Sequence, residues 1–470
     1  GDFHPSAGPG PESFNAVLIR LNDDRFGSPA VDNTDIFISS ETESKKLTTC
    51  LEPVAFSVSR IKEKDTYQSP PPPFITSTLQ QQASTQLGFS AKKTMVIAQQ
   101  LYEGVEIGGE PTALITYMRT DSPRISESAL TACRNFISKH FGPDLLYETT
   151  RRYKPRKRAQ EAHEAIRPTY TEKVPAEIKK HLTSNQYKLY NFIWSRFVAT
   201  QMKPAHWRSR SMDIEADLPE PVEIEAVRIS GEKQPVPEPK LVVRKCVFNT
   251  NERKILSKGY LTLYSPEESF LPPLTERQEL HLVKLSSAQS FTQPPPRYNE
   301  ASLVKTLEKY GIGRPSTYVP IISTIQARGY VKKTQRKFFA TELGILVTEK
   351  LRPYFADILN TSFTAEMEEK LDGIEEARTN WLEPLREFYH LFSQDLKKAD
   401  SEMTLEKGKE PPGGEKCAKC GKPLVIRWSR YGRFLACSDY PRCKNVVSQK
   451  PSTPAEVTDE VCEKCGKPMV

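Results

Sequence analysis

No stretch of this 470-residue chain approaches the roughly 20 consecutive apolar residues that cross a bilayer, and no basic-then-apolar leader opens it. Those absences argue against a helical membrane protein or a secreted one, and the expectation is a cytoplasmic location. Cysteine is scarce over most of the length. Of nine, only Cys50, Cys133 and Cys246 precede position 417, and they are scattered, which argues against a disulfide framework. No single charge sign dominates: 67 Lys and Arg stand against 59 Asp and Glu, a net +8. That balance permits a polyanionic partner without demanding one. An initiator Met is also missing, residues 1–13 read as loop, and Cys462 and Cys465 form half of a metal site at the other end. The expectation is a piece of something larger.

What is there suffices for about three or four domains. Short alternating runs at 14–21 and 54–58 read as strands and end at the prolines Pro70 to Pro73. Similar runs return from about Trp207 to Leu285, with Val222, Ile224 and Ala226 on one face and Glu223 and Glu225 on the other. The predicted class is multidomain α+β. A discontinuous β domain (14–76 and 205–296) carries an inserted helical domain (77–204). A helical domain (297–404), a charged Gly/Pro linker (405–415), a four-cysteine ribbon (416–450) and a tail beginning a second ribbon (451–470) follow.

The insert opens with two amphipathic segments, 77–87 and 91–103, separated by Gly88, with Ser90 placed as an N-cap and Gly104 as a stop. Helix, tight turn, helix and extended stretch is the order of a helix-turn-helix with a wing, a module that often lies on DNA; a plain helical hairpin has the same pattern. The extended stretch is residues 114–122, where apolar Leu114 and Ile115 lead to Tyr117, with Arg119 two residues on. On an extended backbone Tyr117 and Arg119 point the same way. A tyrosine hydroxyl can attack a phosphodiester and hold the cut strand, but a free pKa of about 10 makes it a poor nucleophile near neutrality. A neighbouring guanidinium favours the phenolate, and its planar fork grips a phosphate. The spacing alone equally describes a solvated sheet face, so the weight falls on the surrounding segments.

After the wing, Ser126 can cap a helix with Leu130, Cys133, Ile137 and Phe141 on one face, ended by Gly142. Residues 151–158 then hold six cations in eight positions, a solvated loop or a phosphate-binding run. His163 and Arg167 follow, four apart and on one face if the turn is helical. Past Pro294 to Pro296 the helix-helix-wing order repeats. Asn299 precedes a helix with Leu303, Leu307 and Tyr310 inward, and the turn 311–317 leads to a second helix bearing Tyr318, Ile321, Ile322 and Ile325. With Ser316 and Thr317 opening that helix beside Arg314, its free N–H groups make a phosphate seat; a plain Ser cap explains the hydroxyl but not the arginine. A further helical run covers 363–399.

Cys417-x2-Cys420, sixteen residues to Cys437 and five more to Cys443 present four thiolates in about 30 residues. That spacing suits a tetrahedral structural zinc, because so short a segment lacks a core without metal. Arg427, Trp428, Arg430, Tyr431, Arg433 and Phe434 lie between the knuckles and suit stacking on single-stranded bases; the alternative is packing within a small ribbon.

Together, the passages 73–80, 114–122, 161–168, 300–331 and 363–368, in this order, resemble the bacterial type IA DNA topoisomerases over nearly the whole chain. The four-cysteine ribbons favour the topoisomerase I branch. The resemblance implies a toroidal enzyme, its β stretches forming an arch, which relaxes negatively supercoiled DNA by cutting one strand and passing the other without ATP. By the same resemblance Tyr117 is the nucleophile of a 5′-phosphotyrosine link, and Arg119 positions the scissile phosphate. His163, Arg167, Arg314, Ser316 and Thr317 hold the single strand. The implied partners are single-stranded and negatively supercoiled DNA, bound by a nucleoid-associated monomer.

The family's magnesium-binding fold, with its D-x-D-x-E cluster, is not found here. The similar string Asp213, Glu215 and Asp217 alternates with Ile214 and Ala216 and reads as the outward face of a strand. The expectation is therefore an enzyme whose Mg2+ carboxylates lie elsewhere, with this piece binding DNA and relaxing nothing alone. The rival is a non-catalytic single-stranded DNA-binding module. A zinc nuclease fits poorly, because four thiolates leave no open metal position.

Overall fold

Period-two alternation builds the largest element, an antiparallel pair of long strands, Ala205–Ile229 and Pro235–Ser257, in which Ile214 faces Phe248 across the ladder. Met212, Ile214 and Ala216 point into the core while Asp213, Glu215 and Asp217 turn outward, as the alternation predicts. The computed structural model describes residues 1–5, 13–27, 34–154, 163–229, 235–404, 408–411, 413–429 and 432–447. The chain divides into two compact units, one of residues 1–74, 101–117 and 122–296, the other of 75–100, 118–121 and 297–470.

In the first unit the long pair lies within a sheet of nine strands among the described residues. Phe56–Gln68 pairs with Ala205–Ile229 on one side, and Val17–Leu21 pairs with Pro235–Ser257 on the other. Phe3, Phe56 and Phe248 pack edge to face with centroids 5.0 to 5.8 Å apart, anchoring a core that also takes Leu21, Ile36 and Val243. Phe3 comes from a strand, Asp2–Pro5, which pairs with Glu279–Lys284; this corrects the expected loop at residues 2–5, while residues 6–12 lie outside the described residues. A helix, Glu41–Leu51, also interrupts the β-rich stretch and buries Leu47 and Leu51. The helices Glu127–His140 and Ser184–Ala199 meet where Phe136 stands perpendicular to Trp194 at 5.6 Å.

In the second unit the helix Thr76–Gln86 packs on the helix Glu300–Tyr310, and Gly88 (φ 68°) makes the turn to Ala91–Glu103. Asn299 caps the 300–310 helix through the Ser302 amide at 2.8 Å, and Gly311 ends it in the left-handed region. Ala91, Val304, Tyr318, Ile322 and Phe338 form the core here. Tyr310, expected inward, is 52% exposed; Val304 takes the buried position. The expected wing is a hairpin, Val331–Thr334 with Lys337–Ala340. The helical run expected at 363–399 is broken into Thr361–Glu375 and Leu382–Glu402. No helix among the described residues is long and apolar enough to cross a membrane.

Candidate nucleic-acid site

Leu114 and Ile115 are buried at 1% exposure, which anchors the segment leading to Tyr117. The segment is laced to the run 165–169: the Thr116 amide donates to the Arg167 carbonyl at 2.9 Å, and the Thr169 amide to the Leu114 carbonyl at 3.0 Å. Tyr117 emerges from this support 42% exposed. Tyr102 stands edge-on to its ring at 5.5 Å, and the His163 ring lies 6.0 Å away. The structure thus brings Tyr117 and His163 together and adds Tyr102, which nothing in the sequence pattern singled out.

Residues 118 and 119 form a bend rather than the expected strand. Burial still alternates, with Met118 and Thr120 inside and Tyr117 and Arg119 outside. Both inward residues are tied to Thr76, whose hydroxyl donates to the Met118 carbonyl at 2.7 Å and accepts from the Thr120 amide at 2.8 Å. Arg119 makes no hydrogen bond or ion pair with any described residue.

The turn that was to place His163 and Arg167 on one helical face is extended instead, with Ile166 bridging Phe74 and Pro168 bridging Ile115. Non-local pairing outweighs the local helical spacing there. Arg167 is largely enclosed, its guanidinium on Glu164 at 2.5 and 2.8 Å and on the Pro168 carbonyl at 3.0 Å. It also reaches the Ser126 hydroxyl at 3.4 Å, and Ser126 makes no cap bond to its own helix. Of the basic run, Arg152 is paired with Glu127 and Arg151 lies over the Tyr147 ring. Residues 155–162 lie outside the described residues.

In the second unit, Ser316 and Thr317 precede the helix rather than open it; Tyr318–Ala327 is its span. Ser316 is exposed and has no partner among the described residues. Thr317 closes the turn on Arg314, its hydroxyl accepting the Arg314 amide at 2.7 Å. Arg314 itself is held by Asp372 at 2.6 and 3.2 Å. Burial first, then the neighbouring acids Glu308, Asp121 and Glu368, push the Tyr318 hydroxyl up to about 12.

The sulfurs of Cys417, Cys420, Cys437 and Cys443 all lie within 4.8 Å of one another, with 417 to 443 at 3.7 Å and 420 to 437 at 3.2 Å. A tetrahedron with Zn–S bonds of about 2.3 Å has edges of about 3.8 Å, so the donor set fits zinc. The Asn445 side chain donates to the Cys417 sulfur at 3.2 Å, the kind of outer contact that fixes a ligand. The strands Leu424–Ser429 and Gly432–Cys437 form the ribbon, and Trp428 packs against its small core. Arg430, Tyr431, Cys462 and Cys465 lie outside the described residues.

A magnesium seat does not fit the string at 213–217. Asp213 accepts from Asn249 at 2.7 Å and Glu215 pairs with Lys245 at 2.6 Å. Among the described residues the four cysteines are the only cluster of metal-ligating side chains.

Two family models match this chain. One, described as DNA topoisomerase, covers residues 10–386; the other, described as topoisomerase DNA binding C4 zinc finger, covers 414–452. Among solved structures, full-length topoisomerase I from Thermotoga maritima is similar at 32% identity and a TM-score of 0.65. The match covers 93% of this chain and 66% of that one.

Proposed function

Because the chain belongs to the bacterial type IA DNA topoisomerases, we propose that it grips single-stranded DNA and supplies, in Tyr117, the nucleophile that cuts it. The observation that carries this reading is an exposed tyrosine on a buried, doubly laced support, flanked by Tyr102 and His163 and followed by an exposed Arg119 that has no partner among the described residues.

In the proposed step the Tyr117 oxygen attacks phosphorus, a bond from phenolic oxygen to phosphorus forms, and the bond to the neighbouring 3′ oxygen breaks. The phenolic proton leaves to solvent or a base, and the 3′ oxygen takes up a proton as it departs. One phosphodiester is exchanged for another, so rejoining by the reverse path needs no ATP, and release of negative supercoiling supplies the drive. Arg119 grips the scissile phosphate as a planar fork. His163 and the Arg167 segment in the first unit, and separately the turn bearing Arg314, Ser316 and Thr317 in the second, are each proposed to contact single strand. The zinc ribbon adds aromatic and cationic contacts to unpaired bases.

Mg2+ carboxylates are absent from the sites described, so no step is assigned to them. The 470-residue chain alone is proposed to bind single strand and leave supercoils intact, as a monomer and in association with the nucleoid.

Two measurements test this. Denaturing the protein on 3′-labelled single strand leaves the label on Tyr117, and Tyr117→Phe binds without trapping; a variant that still traps places the nucleophile elsewhere, and a wild type that never traps leaves only a non-catalytic binding module. The purified 470-residue chain shifts an oligonucleotide but does not relax a plasmid, and relaxation by it would refute the second half.

A further inference from the structure

The Ala91–Glu103 helix ends in Leu101 and Tyr102, and the chain that follows turns straight back on that end. Gly104, at φ +123°, reverses the backbone, and a Cβ there would already touch the Thr112 backbone at 3.5 Å. The hairpin Val105–Ile107 with Glu110–Thr112 completes the return, and the Leu114 amide donates to the Leu101 carbonyl at 2.8 Å. Leu101 and Leu114 are both buried, so this bond fixes the places from which Tyr102 and Tyr117 leave their support. The two tyrosine rings then stand 5.5 Å apart with their planes at 64°, an edge-to-face pair. The His163 ring lies 6.0 Å from that of Tyr117, tilted by 51°. Neither tyrosine hydroxyl has a hydrogen-bond partner among the described residues, so what Tyr102 offers its neighbour is a ring.

We propose that Tyr102 is a positioning residue for the cleavage step: its ring is a wall that holds the Tyr117 side chain in one rotamer before DNA arrives, so that the phenolic oxygen waits in one place. The inference rests on the reading of Tyr117 as the nucleophile. Its physical basis is the exposure of Tyr117. A side chain 42% exposed, with no hydrogen bond to hold it, has the staggered χ1 wells open to it, and attack on phosphorus uses the one that aligns the oxygen. An edge-to-face neighbour on a buried support favours the well in which the rings touch, by roughly three- to tenfold. Tyr102 acts through Tyr117 and touches no reacting atom.

The test compares Tyr102→Phe, which keeps the ring, with Tyr102→Leu, which removes it at a position 38% exposed and so tolerant of change. Covalent trapping of a labelled single-stranded oligonucleotide is followed in single turnover as its concentration is raised. Tyr102→Leu is expected to lower the trapping rate at saturation roughly three- to tenfold, while the half-saturating concentration stays at the wild-type value. Tyr102→Phe keeps the wild-type rate. A Tyr102→Phe variant as slow as Tyr102→Leu would assign the effect to the hydroxyl and overturn the proposal. A Tyr102→Leu variant that traps at the wild-type rate, or that changes only the half-saturating concentration, overturns it too.

A second measurement needs no DNA. With isotope-labelled tyrosine placed at 117 in the 470-residue chain, three-bond couplings to its γ carbon report χ1. Wild type and Tyr102→Phe are expected to show one rotamer and Tyr102→Leu an average over the wells; one unchanged rotamer in Tyr102→Leu refutes the wall. Should Tyr102→Leu prevent folding, Tyr102→Gln, equally without a ring, carries both comparisons. A wild type that never traps sinks the nucleophile reading instead, and the couplings still decide whether Tyr102 orders the ring.

Discussion

The Thr116 hydroxyl donates to the Ala165 carbonyl at 2.7 Å and accepts the Arg167 amide at 3.0 Å, so the residue before Tyr117 is locked to the segment that begins at His163. Two groups of the proposed site thus share one support. Thr116→Val keeps the shape and removes both bonds, leaving a part-buried amide without its acceptor. The expected cost is about 1 to 2 kcal/mol of stability. Covalent trapping is expected to fall more than oligonucleotide affinity does, because alignment of Tyr117 suffers while Arg119 is untouched. Equal losses in the two assays would show that Thr116 supports the fold only.

Removing metal is expected to act on the ribbon alone. The five buried residues of its core include two of the cysteines, so without zinc the strands Leu424–Ser429 and Gly432–Cys437 have little to pack on. A strong chelator, or Cys437→Ser, should abolish the ribbon's ordered Trp428 signal and weaken single-strand binding, while the helical signal of 297–404 persists. Zinc content by mass spectrometry checks the stoichiometry, and a metal-free ribbon that keeps its Trp428 signal contradicts the assignment.

How far the sequence could carry this depended on whether the deciding contacts were local. The helix 91–103 was readable to the residue because Gly88, Ser90 and Gly104 punctuate it, and the cysteine spacing named its own ligand set. The strand Ala205–Ile229 was readable because period-two burial is written in successive residues. By contrast, the strand Asp2–Pro5 exists only through pairing with residues near 280, and nothing in its composition says so. The 163–168 segment looked helical by spacing, yet its bridges to Phe74 and Ile115 decide its shape. Arg314 was legible as a cation in a glycine turn. That Asp372, 58 residues on, consumes it was not, although the four-residue step from Glu368, the end of a family-like block, to Asp372 was a signal that an acidic helix face had a partner.

Acid is expected to loosen the large sheet of the first unit through Asp65. Hydrogen bonds from Arg208 lead the effect, against some desolvation and with help from His206, and hold this carboxyl at about 2 in the folded state. A lowered folded pKa means that the contribution is complete above the unfolded value of about 4 and drains away as pH falls from there through about 2. In urea titrations, Asp65→Asn should be less stable than wild type at pH 6, with the gap closing between about pH 4 and about pH 2. A gap independent of pH over that window would assign the effect to packing instead.

Glu300 is only 5% exposed, yet it is ionisable, and its two oxygens do different work. One accepts the Ala91 amide at 2.5 Å, satisfying the start of the 91–103 helix; the other takes the Lys333 ammonium from the wing. The carboxylate therefore ties the first helix pair to the second helix-turn-helix and its hairpin, inside one unit. Glu300→Gln keeps an acceptor for Ala91 and loses the ion pair, so about 1 kcal/mol is expected from it. Glu300→Ala leaves the amide unanswered and Lys333 facing a hole, a loss of about 3 kcal/mol. Lys333→Met should cost less than Glu300→Ala, because Lys333 is 31% exposed and the Ala91 amide still partners the carboxylate. Urea midpoints followed by helical signal order the three variants. If Lys333→Met proved the worst of them, the ion pair rather than the buried amide contact would be what holds the helices in place.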